Sequence, residues 1–318
     1  MNLSYLGVCA LLTTQLVGVW GLVVAFPFKE LPVESKSAQN SNKSTASKVL
    51  TQKKPTSDID PSKLLTRRTT RRETIRFGYG GTVSLIGAPQ GSINIEGWPR
   101  SEVEVVAEIE LHAETEEDLT RLAAVNGFLV DSDANHLRIL TTGTHDRSYM
   151  RRVAKDFPKK LVGSPWTVSY RIHVPTYCDL EIDSGRGPVN LNGVEGGIRM
   201  TATESEAQLT LIGGIFSATI ASGKVKLNIP ARSWRGSGAD IRLASGELTI
   251  ELPVGFNGEI DASILRSGKI EQEYAGLEAR ERQGFTSREL KARAGAGGAR
   301  FQFTVGDGVI YLRTASGP

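Results

Sequence analysis

From Tyr177 onward the chain repeats one short pattern: an alternating apolar–polar run, a Ser-Gly pair, and a second alternating run. FSATIASGKVKLNI (Phe216–Ile229) and ADIRLASGELTIEL (Ala239–Leu252) are two copies. The pair recurs at Ser184-Gly185, Ser222-Gly223, Ser245-Gly246 and Ser267-Gly268, degenerates around Ser205, and closes at Asp307-Gly308. The steps are 21, 17, 23, 22 and then 40 residues, the last close to two repeats. A period near ~20 residues marks a stacked repeat architecture.

Parity sets the packing. Leu180 and Ile182 precede the first pair, and Val189 and Leu191 follow it. Ala218 and Ile220 precede a later one, and Val225, Leu227 and Ile229 follow. Ile241, Leu243, Leu248, Ile250 and Leu252 repeat the scheme. Alternate residues of a strand share one face, so these point inward while Arg, Lys, Asp, Glu, Thr and Asn point out. One unit cannot bury its own apolar side; stacked units can, spaced by about 4.8 Å. The unit reads as strand, tight turn, strand. The expected fold is all-β, a β-solenoid-like body or a twisted β-sandwich of stacked hairpins, with one short helix. Gly supplies the positive φ of the corner. Cys178 shares the parity of Leu180 and reads as a core residue.

The body is expected to span residues 73–318. TVSLIGA (Thr82–Ala88), GSINIEGW (Gly91–Trp98) and SEVEVVAEIELHA (Ser101–Ala113) alternate with period two and read as strands. TEEDLTRLAAVNG is the helix. Thr115 and Asp118 have capping-box spacing, Leu119, Leu122 and Ala123 form the apolar stripe, and Asn126-Gly127 is the stop. His145–Trp166 has no period and reads as a long surface loop. Its Arg147, Tyr149, Arg151, Arg152, Lys155, Lys159 and Lys160 are the candidate ligand contacts, suited to an acidic glycan, although Asp146 and Asp156 dilute the charge.

Upstream, Leu3 to Phe28 carries no charged side chain. A run of that length can span a hydrocarbon core or act as a long secretory signal, so residues 1–28 are a signal peptide or membrane anchor. The missing basic n-region and the positive charge after the run instead fit an inverted anchor, or a misplaced start. LGVC around Cys9 is a poor lipoprotein box. Residues 29–72 read as a disordered basic linker, with eleven Lys/Arg against four Asp/Glu. Of the chain's net charge of +3, this segment holds +7, which leaves −4 for the rest. RRTTRR (Arg67–Arg72) ends the linker, as solvated charge or as a patch for anionic surfaces. No folded module has the basic face of a nucleic-acid binder.

The stretches GSINIEGWPRSEVEVVAEIEL, RIHVPTYCDLEIDSGRGPVNL and FTVGDGVIYLR, with the early helix and the Ser-Gly repeats, resemble the bacterial β-strand-repeat family labelled "putative adhesin". The resemblance covers roughly residues 73–314. It implies an all-β body at the cell envelope, exported or membrane-anchored, and contributes no catalytic residue.

Chemistry is sparse in the sequence. His112, His136, His145 and His173 have no metal-ligand spacing and no Cys pair exists, so no metal or cofactor is expected. Gly78–Gly81 and Gly295–Arg300 lack the context of a phosphate loop. At the position before each turn serine stand Asp183, Glu204, Ala221, Ala244 and Arg266. The two acids, in adjacent units, are the one hint of a carbohydrate-active solenoid. The expectation is a non-enzymatic envelope protein that binds glycan or protein ligands or serves as a scaffold. The alternatives are that enzyme and a cytoplasm-facing, membrane-anchored sensor.

Overall fold

The computed structural model describes residues 64–315 apart from Gln283. The apolar run and most of the linker lie outside the described residues. Among the described residues, no helix is long and apolar enough to cross a membrane.

The repeat builds the centre of the fold. β10 (Gly197–Thr210), β11 (Gly213–Asn228), β12 (Arg235–Leu252), β13 (Gly258–Gln272) and β16 (Arg300–Thr314) are long strands, each running through its Ser-Gly, Glu-Ser or Asp-Gly position without a break. β11 pairs with β12 in parallel on both sides of that position, from Phe216↔Ala239 to Asn228↔Glu251. The Ser-Gly pair is therefore a corner inside one strand. The hairpin expectation is corrected here: a hairpin needs a two-residue reversal and antiparallel partners, whereas one glycine at positive φ only turns the strand from one wall of the stack to the next.

The corner glycines form a ladder. Gly223, Gly246, Gly308 and Gly268 are successive neighbours across β11, β12, β16 and β13, with φ of 134°, 139°, 145° and 128°. A Cβ on any of them would land on the carbonyl of the preceding rung. Gly91 and Gly187, with φ of 135° and 133°, extend the same column. The corner of the first unit is thus Gly187, two residues after the expected Gly185. Ser205 stands opposite Gly223 in a glycine position, and its buried hydroxyl has no hydrogen-bond partner among the described residues.

Before the corner, β5 (Gly127–Ser132), β6 (His136–Thr142), β2 (Thr82–Gln90) and β8 (Asp179–Arg186) extend one wall. After it, β1 (Leu65–Arg76), β4 (Glu102–Ala113), β7 (Trp166–Pro175), β3 (Ile93–Trp98) and β9 (Val189–Asn192) extend the other. Antiparallel strands close both ends, β1 on β4 and β5 on β6 at one, β15 (Glu289–Ala294) on β13 and the short β14 (Leu277–Ala279) at the other. Every inward residue named from parity is buried in one continuous cluster. At about 1.5–3 kcal/mol per fully buried Leu or Ile, that cluster is the main favourable contribution to folding.

Sequence order and stacking order part company at the C-terminus. β16 lies between β12 and β13, paired in parallel with both. The last repeat copy is therefore an interior coil.

Two boundaries are corrected. The linker expected to reach residue 72 gives up Leu65–Arg72, which lie in β1. Composition alone could not reveal the partner strand: β4 offers Glu104, Glu108 and Glu110 across from the arginines. The expected loop at 145–166 contains a second helix, α2 (Arg147–Val153), and a 3-10 turn at Lys159–Leu161. Asp146 starts α2 by accepting hydrogen bonds from the Ser148 and Tyr149 amides. The expected helix is α1 (Glu116–Val125), capped by Thr115, whose hydroxyl accepts from the Asp118 amide. Val125, not Ala123, completes its buried stripe.

Candidate functional site

The seven candidate contact residues fall into three local settings. Arg147, Tyr149, Arg151 and Arg152 lie on α2, Lys155 in the turn after it, and Lys159 and Lys160 in the 3-10 turn. Met150 and Leu161 are buried and Phe157 packs on the core, so the segment is pinned by apolar contacts at three points. Lys160 is committed to structure: its Nζ donates to Oδ2 of the buried Asp118 at 2.7 Å. The other five basic side chains are exposed, and no carboxylate among the described residues lies within ion-pair distance of them.

The Asp118–Lys160 pair makes this docking pH-dependent. The Lys160 ammonium, with the Thr115 hydroxyl, holds the Asp118 carboxyl below the usual aspartate range. A depressed carboxylate pKa stabilises the folded state fully at neutral pH, and the gain is lost as pH falls through the folded value. The protection factors of residues 147–162, exchange rates referred to the intrinsic rate at each pH, are expected to fall on acidification below the usual aspartate range before those of β10–β12 respond. Asp118→Asn is expected to show the faster exchange at neutral pH and to flatten the pH dependence. A segment whose protection factors ignore both pH and Asp118→Asn would refute the coupling.

The β1 arginines pair within the body. Arg67 meets Glu116 at 2.6 Å and Arg68 meets Glu110 at 2.8 Å; Arg71 meets Glu73 at 2.8 Å, and Arg72 meets Glu104. Arg71 also donates to the Phe128 carbonyl and lies over the Phe128 ring. Such exposed pairs contribute about 0–1 kcal/mol each. They nonetheless cancel the charge that the sequence offered to an anionic partner. With these arginines counted in the body, residues 64–318 sum to zero and residues 29–63 keep +3.

The paired acids do not meet. Asp183 is opposite Thr201 on β10, and Glu204 is opposite Arg186, with their charged groups 3.6 Å apart. The register differs from the sequence alignment because the first corner is at Gly187. The histidines stay apart. His112 lies between Thr66 and Glu110, and His136 beside Asp133. His145 lies against Trp166, and His173 stacks on Trp98 with Glu104 at 3.2 Å. Cys178 is a free, buried thiol that burial pushes up to about 12.

Sequence reading missed a groove. Thr203, Ala221, Ala244 and Gly306 follow one another across β10, β11, β12 and β16 on the outer side of the wall before the corner. Thr201, Thr219, Arg242 and Thr304 form the neighbouring column. After the corner, outward positions include long charged side chains such as Lys224, Lys226, Glu247, Glu251 and Arg313; in this column they shrink to Thr, Ala and Gly and leave a trough of about 540 Å³. A β-bulge in β13 sets Leu265 and Arg266 against the single residue Gly306. Leu265 is thereby 64% exposed at the groove wall, while Arg266 donates to Asp307 at 2.8 Å and to the Ala244 carbonyl. Asp183 closes the other end. The signal was legible: Ala221 and Ala244 stand in the very column searched for acids.

No protein-family model matches the chain, and no curated protein matches it. Solved structures with a similar layout include three of low identity. A protein described as a putative cell adhesion protein from Clostridium sporogenes is 12% identical with a TM-score of 0.39, over 79% of this chain and 100% of its own. A putative adhesin from Bacteroides fragilis is 12% identical with a TM-score of 0.30, over 80% and 99%. A putative lipid binding protein from Parabacteroides distasonis is 9% identical with a TM-score of 0.23, over 78% and 97%.

Proposed function

We propose that this protein is a non-catalytic, adhesin-like binding body of the cell envelope, exported or held by its N-terminal run, which takes an extended ligand along the groove. The observation that carries this reading is the in-register column of small outward residues, Thr203, Ala221, Ala244 and Gly306, in place of a solvated charged face. A groove crossing successive strands repeats at the strand spacing of about 4.8 Å and suits a linear chain. Its floor is aliphatic with threonine hydroxyls, its charged groups are Arg242, Arg266 and Asp183, and it contains no aromatic ring. That favours a polypeptide segment with small aliphatic side chains over a sugar. The out-of-register Asp183 and Glu204, the latter beside Arg186, weigh against glycan hydrolysis.

The test is a selection from displayed peptides and a glycan array, run in parallel on the wild type and on Ala221→Arg/Ala244→Arg. Both positions face outward, so the fold should persist while the trough is filled. Extended aliphatic peptides are expected to enrich on the wild type and to lose at least about tenfold in affinity on the variant, a cost of roughly 1.4 kcal/mol. Ligands that bind both proteins equally would remove the groove from the reading. Turnover of a polysaccharide that disappears in Asp183→Asn or Glu204→Gln would replace it with the enzyme. A C-terminal tag shielded from protease on intact cells, with residues 1–25 retained, would replace it with the cytoplasm-facing scaffold.

A further inference from the structure

One turn of α1 gathers two distant parts of the chain. Glu116 holds Arg67 near the start of β1 at 2.6 Å, and Asp118 holds Lys160 at 2.7 Å. The place where the chain enters the body and the basic segment around α2 are therefore attached to the same helical turn. Upstream in the sequence lie the basic residues 29–63 and the uncharged apolar run from Leu3 to Phe28.

The segment has an unusual surface. Arg147, Arg151, Arg152, Lys155 and Lys159 are exposed and, among the described residues, without an ion-pair partner, five local positive charges on a body whose net charge is zero. In the same segment two aliphatic side chains face water, Val153 at 53% and Val162 at 45% exposure. The acids close by are occupied or few. Asp146 caps α2, Asp118 and Glu116 are paired, Glu117 pairs with Arg121, and Asp156 is left. Basic side chains around exposed apolar ones match a bilayer interface, where headgroups take the charge and the acyl boundary takes the aliphatic tips. An acidic polysaccharide would answer the charge alone and leave Val153 and Val162 in water.

We propose that the α2 segment, residues 147–162, docks on an anionic lipid surface and orients the body on the membrane beside which the chain enters it. The docking holds for either orientation of the N-terminal run, and it is separate from the groove, with which it shares no residue.

The experiment is hydrogen–deuterium exchange of the full chain with vesicles of phosphatidylcholine alone, or with about one-third phosphatidylglycerol. Amides of residues 147–162 are expected to exchange roughly fivefold more slowly on the anionic vesicles, with the difference erased by high salt. Residues of β13 and β15 at the opposite end should not change. Arg151→Glu/Arg152→Glu/Lys155→Glu/Lys159→Glu should abolish the protection. Val153→Asn/Val162→Asn should weaken it with the charge intact. Lys160 is kept in all variants, and unchanged exchange in β10–β12 shows that they are folded. Equal exchange on the two vesicle types overturns the proposal. So does protection by a soluble acidic polysaccharide that is insensitive to Val153→Asn/Val162→Asn, which would assign the surface to glycan.

Discussion

Gly246→Ala is expected to destabilise the protein by more than about 3 kcal/mol, although it adds one methyl group at the surface of a corner. Two terms contribute. The backbone at Gly246 has φ of 139°, a region that L-residues enter at a cost of roughly 1–3 kcal/mol. The new Cβ would also land on the Gly223 carbonyl oxygen, with the Gly223 backbone nitrogen and carbon close behind. Backbone held by ladders on both sides cannot yield cheaply, and overpacking costs about 1–3 kcal/mol more. For a body of this size the midpoint of thermal unfolding should fall by about 10 °C. Ser245→Ala, one residue away and exposed, should move it by less than about 2 °C. A Gly246→Ala protein as stable as the Ser245→Ala control would mean that the ladder is not what sets the corner.

A chain ended at Ala299 is expected not to fold. Reading the repeats in sequence order leads to the opposite expectation, that loss of the last copy merely shortens the stack. But β16 bonds to β12 on one side and β13 on the other. It buries Phe301, Phe303, Val305, Ile310 and Leu312, with Phe301 packed edge-on to Trp234 and Phe256 at 5.4 Å each. Five such side chains at about 1.5–3 kcal/mol each rival the whole stability of an ordinary domain, about 5–15 kcal/mol. The truncated chain should elute as aggregate and lose cooperative unfolding. A soluble, cooperatively unfolding monomer would place β16 at the end of the stack after all.

These two expectations mark where sequence reading succeeded and where it stopped. The alternation in FSATIASGKVKLNI and ADIRLASGELTIEL was enough to name the inward residues, because side-chain direction in a strand depends only on parity. The recurring glycine was enough to place the corners at Gly223, Gly246, Gly268 and Gly308, because only glycine is at ease at that φ. Where the local motif was doubled, as in SGRG at Ser184–Gly187, the choice between two glycines waited on the neighbouring strand. The candidate residues of the basic segment were visible as charges. That Lys160 is bound to Asp118 while Arg151, Arg152 and Lys155 meet no carboxylate among the described residues was not, since a charge in sequence carries no record of its partner.

The all-β class, the inward face of each repeat, the positive-φ corners and the capped helix α1 could be read from the residues alone. All of these are set by interactions within a strand or a helical turn. That the Ser-Gly pairs are corners between parallel neighbours, that β16 lies between β12 and β13, and that RRTTRR is a strand came from the assembled fold. It alone aligned Ala221 and Ala244 with Gly306 to open a groove. Each of these depends on which strand lies beside which, and strand pairing is settled by the fit of whole faces across the stack.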